Sequence, residues 1–506
     1  MIFSLFSTRG NSQSVSYINS PIWIAVSRGM LFGISAAGLL AVLSGLVDLT
    51  DSGGDTAFFL IFGTLATVIC AYLARYISGK KLKRSEIFLE VTSGFLFCIL
   101  CSTLLYSLLI EKVNFGDAFF ESAAAFTTTS LTVIDFEMSG RGIIFYRTSS
   151  QLLGSFTALL TAVMLIPISQ DNSGVGTPGR ITTQEVFPEK KKAVKSIFLI
   201  YLVSTLVLTF SLLVTELDFF DSLLIALSAI STGGFVRNTA VFEDSSVQLI
   251  LIAGMITTGT SVVIIWRLAT RKVNSLLRSS ELITYLALII GATFLLFLWA
   301  DNANASSISK AFFIAVSSIS TTGFHISPFD TWTISAGFLL LLLVTVGPMS
   351  LSSGGGFQIH RLRILLSVSV REMIRQLHPR AVVKIKVGGE SVAEDRVRQV
   401  VVFQFIFTSI IFLTATVLTI SGVGVYEALS SSINALTTAG PIRNADGLIT
   451  TVSSFSMGER LALVPAMLSG RLYLLPVLIS FGYVFSESRN FLRPRRRILH
   501  AIRSKN

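Results

Sequence analysis

Four stretches of this chain set small hydroxyl side chains at matched positions, three of them ending in glycine: DAFFESAAAFTTTS at 117–130, DSLLIALSAISTGG at 221–234, KAFFIAVSSISTTG at 310–323 and EALSSSINALTTAG at 427–440. Each opens on a charged residue and carries a bulky apolar residue two positions on (Phe119, Leu223, Phe312, Leu429). Each then has a hydroxyl three before its end (Thr127, Ser231, Ser320, Thr437) and a threonine two before its end (Thr128, Thr232, Thr321, Thr438). The uncharged, oxygen-rich ends suit a dehydrated alkali cation, whose hydration shell can be replaced by rings of carbonyl and hydroxyl oxygens. Glycine at the loop end predicts a positive φ there, which would aim carbonyls at a common axis. One such cluster by itself would read as a helix-packing motif, since small residues mediate contacts between membrane helices. Four in register, at uneven separations of 104, 89 and 117 residues, favour the oxygen-ring reading.

The elements that must hold these loops follow from hydropathy. The 506 residues are 52% hydrophobic and only 14% charged, with mean hydropathy +0.72, well below the charge content of soluble domains. Ten apolar windows predict membrane helices at 22–47, 56–77, 88–110, 142–168, 196–217, 246–266, 281–300, 333–347, 399–424 and 460–485. The expected fold is therefore all-α and polytopic: two extra N-terminal spans in 1–87, then four span–pore loop–span repeats over 88–195, 196–280, 281–398 and 399–506, in a pseudo-fourfold arrangement. The apolar residues before each loop are too few to cross the bilayer, so each predicts a half-membrane helix entering from outside. Its negative dipole end faces the loop and favours a cation. Irregular backbone at membrane depth is tolerated where it lines a cavity or is buried in protein.

Charge sorts by side. With both termini inside, the inner segments (the N-terminal arm, 75–90, 171–195, 267–281, 358–398 and the tail from 486) carry 31 of the 40 Lys and Arg but 11 of the 29 Asp and Glu, the positive-inside pattern. The basic runs Lys80-Lys81, Lys190-Lys191-Lys192 and Arg495-Arg496-Arg497 flank spans, which points to anionic lipid or an acidic cytosolic partner rather than nucleic acid. Cys70, Cys98 and Cys101 lie in apolar windows and read as small buried hydrophobes. His325, His360, His378 and His500 lie outside the spans, and no intramembrane nucleophile–base pair or paired Asp is evident, which argues against an enzyme. A secondary solute transporter would carry inverted repeats and substrate-binding charges; here the repeats share one orientation, and Arg471 is the one clear mid-membrane charge in the reading. No Gly-rich nucleotide motif is present, so no cofactor is expected on this chain.

Two further segments stand out. GPMSLSSGGGF at 347–357 cannot sustain a regular helix, with Pro348 and Gly354, Gly355 and Gly356. A Pro-kinked helix is the alternative. Arg471, in MLSGRLYLLPVL at 467–478, is costly at that depth unless it faces water or a partner. It is too far from the inner end, near Glu487, to reach the surface, so it is expected to project into the space beneath the loops.

Together STGGF (231–235), STTGF (320–324) and TTAG (437–440), set in span–loop–span repeats, resemble the Trk/Ktr/HKT superfamily of potassium and sodium transporters, from about residue 88 to 485. The two leading spans resemble its TrkH branch. The resemblance implies one polypeptide folded about a single pore. Its selectivity filter would be Thr127, Thr128, Thr129 and Ser130, Ser231, Thr232, Gly233 and Gly234, Ser320, Thr321, Thr322 and Gly323, and Thr437, Thr438, Ala439 and Gly440. An intramembrane gating loop is implied at Ser350, Ser352, Ser353, Gly354, Gly355 and Gly356, with Arg471 as the embedded arginine that repels cations when the pore is shut. Also implied are a bacterial inner-membrane location, a homodimer, and a cytosolic nucleotide-binding ring subunit docking partly on 358–398, otherwise read as a solvated helix pair. Nucleotide control would come only through that partner.

One departure bears on the substrate. The first loop ends in Ser130 where the family places glycine, and in plant members serine there accompanies sodium permeation. Two readings stand: neighbouring threonines compensate and potassium is preferred, or the pore admits sodium as well. A non-conducting paralogue with a collapsed pore is a third.

Overall fold

The computed structural model describes residues 21–51, 54–77, 83–110, 113–136, 139–165, 190–270, 279–299, 305–326, 334–381, 383–388, 390–444, 449–474 and 476–485. The N-terminal arm, 166–189, the basic run at 80–81 and the tail from 486, with its charges, lie outside them.

The described residues are mostly helical. Six helices are long and apolar enough to cross a membrane: Ile22–Asp51, Thr56–Ile77, Ser85–Leu109, Lys192–Leu213, Ser280–Leu298 and Glu394–Ile420. Two more candidates are bent pairs, Ser245–Gly259 with Val262–Ala269 at 107° and Met457–Arg471 with Pro476–Phe485 at 106°. The windows at 142–168 and 333–347 become the helices Arg141–Leu165 and Ile334–Val346, the latter with only 13 residues. The described residues thus hold six to eight membrane-span candidates by length and composition. Lipid-facing positions are apolar and exposed, as at Leu65, Phe210, Ile290 and Phe405.

Between the longer helices lie four short ones: Phe115–Phe126, Phe219–Ser231, Ala305–Ile319 and Val425–Thr437. Their starts are set locally. Asn114 accepts from the Asp117 amide and Asp218 from the Phe220 amide, which satisfies first-turn donors. Asp117, Asp221 and Glu427, three of the charged residues that open the motifs, sit in first turns, where negative charge complements the helix dipole. Lys310 instead falls inside its longer helix, where no dipole argument applies to it.

Packing divides into two large apolar cores. One gathers Ile197, Leu251, Tyr285, Phe313 and Ile319; the other gathers Phe120, Phe126, Phe407, Leu436 and Leu463. Each surrounds two of the short helices. The inner stretch 358–398 differs from the expected helix pair. Helix Ile359–Leu377 is followed by a small antiparallel hairpin, Lys386–Val387 with Glu390–Ser391. Alternating Ile and Val with Lys suits a strand, and Gly388 takes φ +65° at its turn.

Candidate functional site

The four short helices end alike. In each, the matched threonine lies in the left-handed region: Thr128 at φ 56°, Thr232 at 55°, Thr321 at 58° and Thr438 at 53°. Around it the amides close two bonds back onto the helix. In the first loop these are Thr128 N to Ala125 O (3.0 Å) and Thr129 N to Ala124 O (2.9 Å), and the pairs Thr232–Ala229 and Gly233–Ser228, Thr321–Ser318 and Thr322–Ser317, and Thr438–Ala435 and Ala439–Asn434 repeat them. This is a helix C-cap that normally places glycine at the left-handed position. Threonine there costs about 1–2 kcal/mol per site. Four β-branched residues held in one strained state mark a functional requirement rather than four accidents.

The expected positive φ at the loop end holds for Gly234 (62°) and Gly323 (86°), but not for Gly440 or Ser130. The left-handed turn sits two residues earlier, on the threonine, so the last residue is free of it in two loops. Serine at position 130 therefore carries no backbone penalty.

All four loop ends meet. A β-carbon added to Gly234 would lie 2.0 Å from Thr322 O and 2.7 Å from Ser130 Cβ; on Gly323, 2.6 Å from Ser130 Oγ and 3.0 Å from Gly440 N; on Gly440, 2.0 Å from Ser130 Oγ. The three glycines are thus needed for close approach, and the Ser130 hydroxyl fills the space they leave.

The hydroxyls divide into three tiers. Thr127, Ser231, Ser320 and Thr437 donate back to their own helices, onto Ala123 O, Ser228 O, Ser317 O and Ile433 O. Thr129 Oγ1 pairs with Thr127 Oγ1 at 3.0 Å, and Thr322 Oγ1 with Ser320 Oγ at 2.8 Å. Thr128 Oγ1, Thr438 Oγ1 and Ser130 Oγ are buried without a hydrogen-bond partner among the described residues. Ala439 is buried among them. Orphaned buried oxygens converging at one place are what a desolvated cation would satisfy.

Directly against this cluster lies the unwound segment after Val346. The chain leaves helix at Gly347 (φ +70°) and resumes at Ile359, so the kinked-helix alternative fails: the turn is a loop of a dozen residues, not a bend. Gly355 N donates to Thr321 Oγ1 (2.9 Å), and Thr232 Oγ1 is 3.2 Å from Ser353 O. β-Carbons on Gly354 and Gly355 would run into Ser320 O and Thr437 O at 2.6 and 2.2 Å. Gly356 has φ +79° and packs on Gly347. Ser352 Oγ donates to Met349 O, and Ser350 is fastened by Glu281, whose carboxylate accepts from its amide (2.7 Å) and hydroxyl (3.1 Å). Arg471 is buried, and its Nη1 donates to Ser353 O at 3.0 Å while Nε and Nη2 have no hydrogen-bond partner among the described residues. Arg471, Gly354, Gly355 and Tyr473 line a shared cavity.

Arg471 is not the one buried charge in the bundle. Glu121 and Arg147 form a fully buried ion pair, Nε to Oε1 at 2.6 Å. Glu121 Oε2 accepts from Thr132 Oγ1 and Val133 N at 3.0 Å each, while Arg147 Nη2 lies 3.5 and 3.3 Å from Thr129 O and Leu131 O. The first loop is thereby braced on both sides of Ser130. Gln151, also unforeseen, donates from Nε2 to Gly233 O at 3.0 Å, so one carbonyl of the second loop is held from behind. The available sequence signal was a pair of opposite charges 26 residues apart, Glu121 within the first motif and Arg147 within the apolar window that follows it.

Fold and site together define a polytopic helical membrane protein whose helix-end loops gather uncharged oxygens at one point, closed on one side by an unwound segment and a buried guanidinium. Residues 284–492 match the TrkH family, described as a cation transport protein. The chain is 29% identical over 393 residues to the "Trk system potassium uptake protein TrkH" of Halomonas elongata, covering 73% of this chain and 79% of that one. It is 27% identical over 428 residues to the protein of the same description from Escherichia coli K12, covering 78% and 86%. The fold matches the crystal structure of the potassium transporter TrkH from Vibrio parahaemolyticus, with TM-score 0.77, 23% identity and coverage of 89% of this chain and 98% of that one. The chain is thus similar to TrkH cation transport proteins over most of its length.

Proposed function

We propose that this protein carries potassium across the bacterial inner membrane through a gated, channel-like pore. The observation that carries the reading is the convergence of Ser130, Gly234, Gly323 and Gly440, with the hydroxyls and carbonyls of four matched loops behind them. In this reading the four repeats stand in pseudo-fourfold order about the pore within a ten-span fold, and Thr127–Ser130, Ser231–Gly234, Ser320–Gly323 and Thr437–Gly440 are the filter. Segment 350–356 with Arg471 is the gate in its shut position: the loop occupies the path, and an uncompensated guanidinium repels a cation there. Both termini face the cytoplasm. No cofactor is held by the chain itself; a second copy and a cytosolic nucleotide-binding ring subunit are its partners, with the basic inner stretch 358–398 as part of the docking face. Potassium uptake by the named relatives supports the choice of ion.

A second reading, sodium permeability, is favoured by Ser130 Oγ, which stands unpartnered among the glycines and adds an oxygen where the other loops have none. Rescue of a potassium-uptake-deficient bacterial strain, with radiolabelled rubidium and sodium flux in proteoliposomes, tests both. Failure to rescue and absence of any cation flux would sink the pore reading. An unchanged rubidium-to-sodium ratio in Ser130→Gly would sink the sodium reading.

A further inference from the structure

The gate segment is held by more than its arginine. Ser353 is bonded to four residues on separate elements. Its carbonyl accepts from Arg471 Nη1 (3.0 Å) and faces Thr232 Oγ1 (3.2 Å), and its amide donates to Thr258 O (3.2 Å). Its hydroxyl lies 2.9 Å from the phenol of Tyr201, and that phenol lies 2.9 Å from Ser155 Oγ on the helix behind the first loop. Tyr201 is buried on helix Lys190–Leu213, where its ring packs edge-on against Phe156. A phenol can donate to one serine and accept from the other, so Ser155, Tyr201 and Ser353 form one hydrogen-bonded chain in a low-dielectric interior, where each bond polarises the next. A cavity lined by Tyr201, Ser204, Thr258, Ser352 and Ser353, and not by Arg471, adjoins this chain.

Resting on the gated-pore reading, we propose that Tyr201 is a positioning residue for the gate. Its hydroxyl holds Ser353 in line with the loops, so that the Ser353 carbonyl meets Arg471 and Thr232; when the bond is released, the segment can withdraw toward the adjoining cavity. Tyr201 acts through Ser353, because its hydroxyl bonds Ser155 and Ser353 and no loop carbonyl.

The test uses the purified full-length chain in proteoliposomes without a partner, comparing wild type, Tyr201→Phe, Ser353→Ala, the double variant and Arg471→Ala. Tyr201→Phe keeps the ring and its packing while deleting the hydroxyl. The bond to Ser155 is lost with the hydroxyl as well, but the one bond that reaches the gate segment is that to Ser353, and its loss in the shut state predicts a basal rubidium flux about fivefold above wild type. The double variant should exceed either single by little, since both delete the same bond. The rubidium-to-sodium ratio should stay at the wild-type value, which general loosening of the loops would not leave intact. Raised flux in Arg471→Ala with unchanged flux in Tyr201→Phe would overturn the inference while keeping the pore. Additive effects in the double variant, or a shifted ion ratio in Tyr201→Phe, would also overturn it. Zero flux in every variant would overturn the inference and the pore together.

Discussion

Removing one partner of the Glu121–Arg147 pair should damage the first loop more than removing both. Neither side chain touches water, so each charge is tolerable only because of the other. In Arg147→Met, Glu121 keeps its bonds from Thr132 Oγ1 and Val133 N but loses its counter-charge. In Glu121→Gln, the guanidinium loses its counter-charge and keeps at most a neutral amide oxygen at Nε, besides long contacts to Thr129 O and Leu131 O at 3.5 and 3.3 Å and the Phe235 ring 5.3 Å from its centre. A broken buried pair costs about 3–5 kcal/mol, most of it the stranded charge, whereas replacing both partners by neutral groups is often near neutral. The double variant Glu121→Gln with Arg147→Met should therefore recover at least about 2 kcal/mol of the summed losses. Thermal unfolding of detergent-solubilised protein reads the stability arm, and the rubidium-to-sodium flux ratio reads loop geometry. The singles should melt well below wild type, and the double should fall between. Because Arg147 braces residues 129 and 131, the singles should also lose ion discrimination. Strict additivity of the two losses would refute the reasoning, since the stranded charge would then not be the cause.

Three further expectations follow from the loops. Gly440→Ala should abolish flux, because its β-carbon would meet Ser130 Oγ at 2.0 Å while the next nearest atoms are 3.3 and 3.9 Å away; Ser130→Gly in the same chain should restore it, and failure of that rescue would mean that the clash is not the cause. Gly234→Ala faces the Thr322 backbone at 2.0 Å with φ +62°, so it should stay inactive even in the Ser130→Gly background, as judged by rubidium uptake. Thr128→Gly relieves a left-handed β-branched residue and should hold or raise thermal stability, by up to about 1–2 kcal/mol, while weakening the concentration dependence of rubidium uptake; a large loss of stability would contradict the strain.

What the sequence determined by itself was whatever depends on a short stretch of chain. Hydropathy marks membrane helices, small hydroxyls with glycine mark the places where a helix stops, and Gly347-Pro348 with the triple glycine marks a helix that cannot continue. Each is a local property, and the positions Thr127 to Gly440 could be named from it. The tertiary structure decided the pairings between residues far apart. Glu121 meets Arg147 across 26 residues, Gln151 holds Gly233 across 82, Arg471 reaches Ser353 across 118, and Tyr201 meets the same serine across 152. No period or composition encodes these contacts, because they exist only once helices distant in sequence are packed side by side. The same holds for the strain. Glycine seemed the residue to take a positive φ, but the cap places the left-handed turn on threonine in every loop. That leaves Ser130 without backbone penalty, its hydroxyl buried where the four loops close.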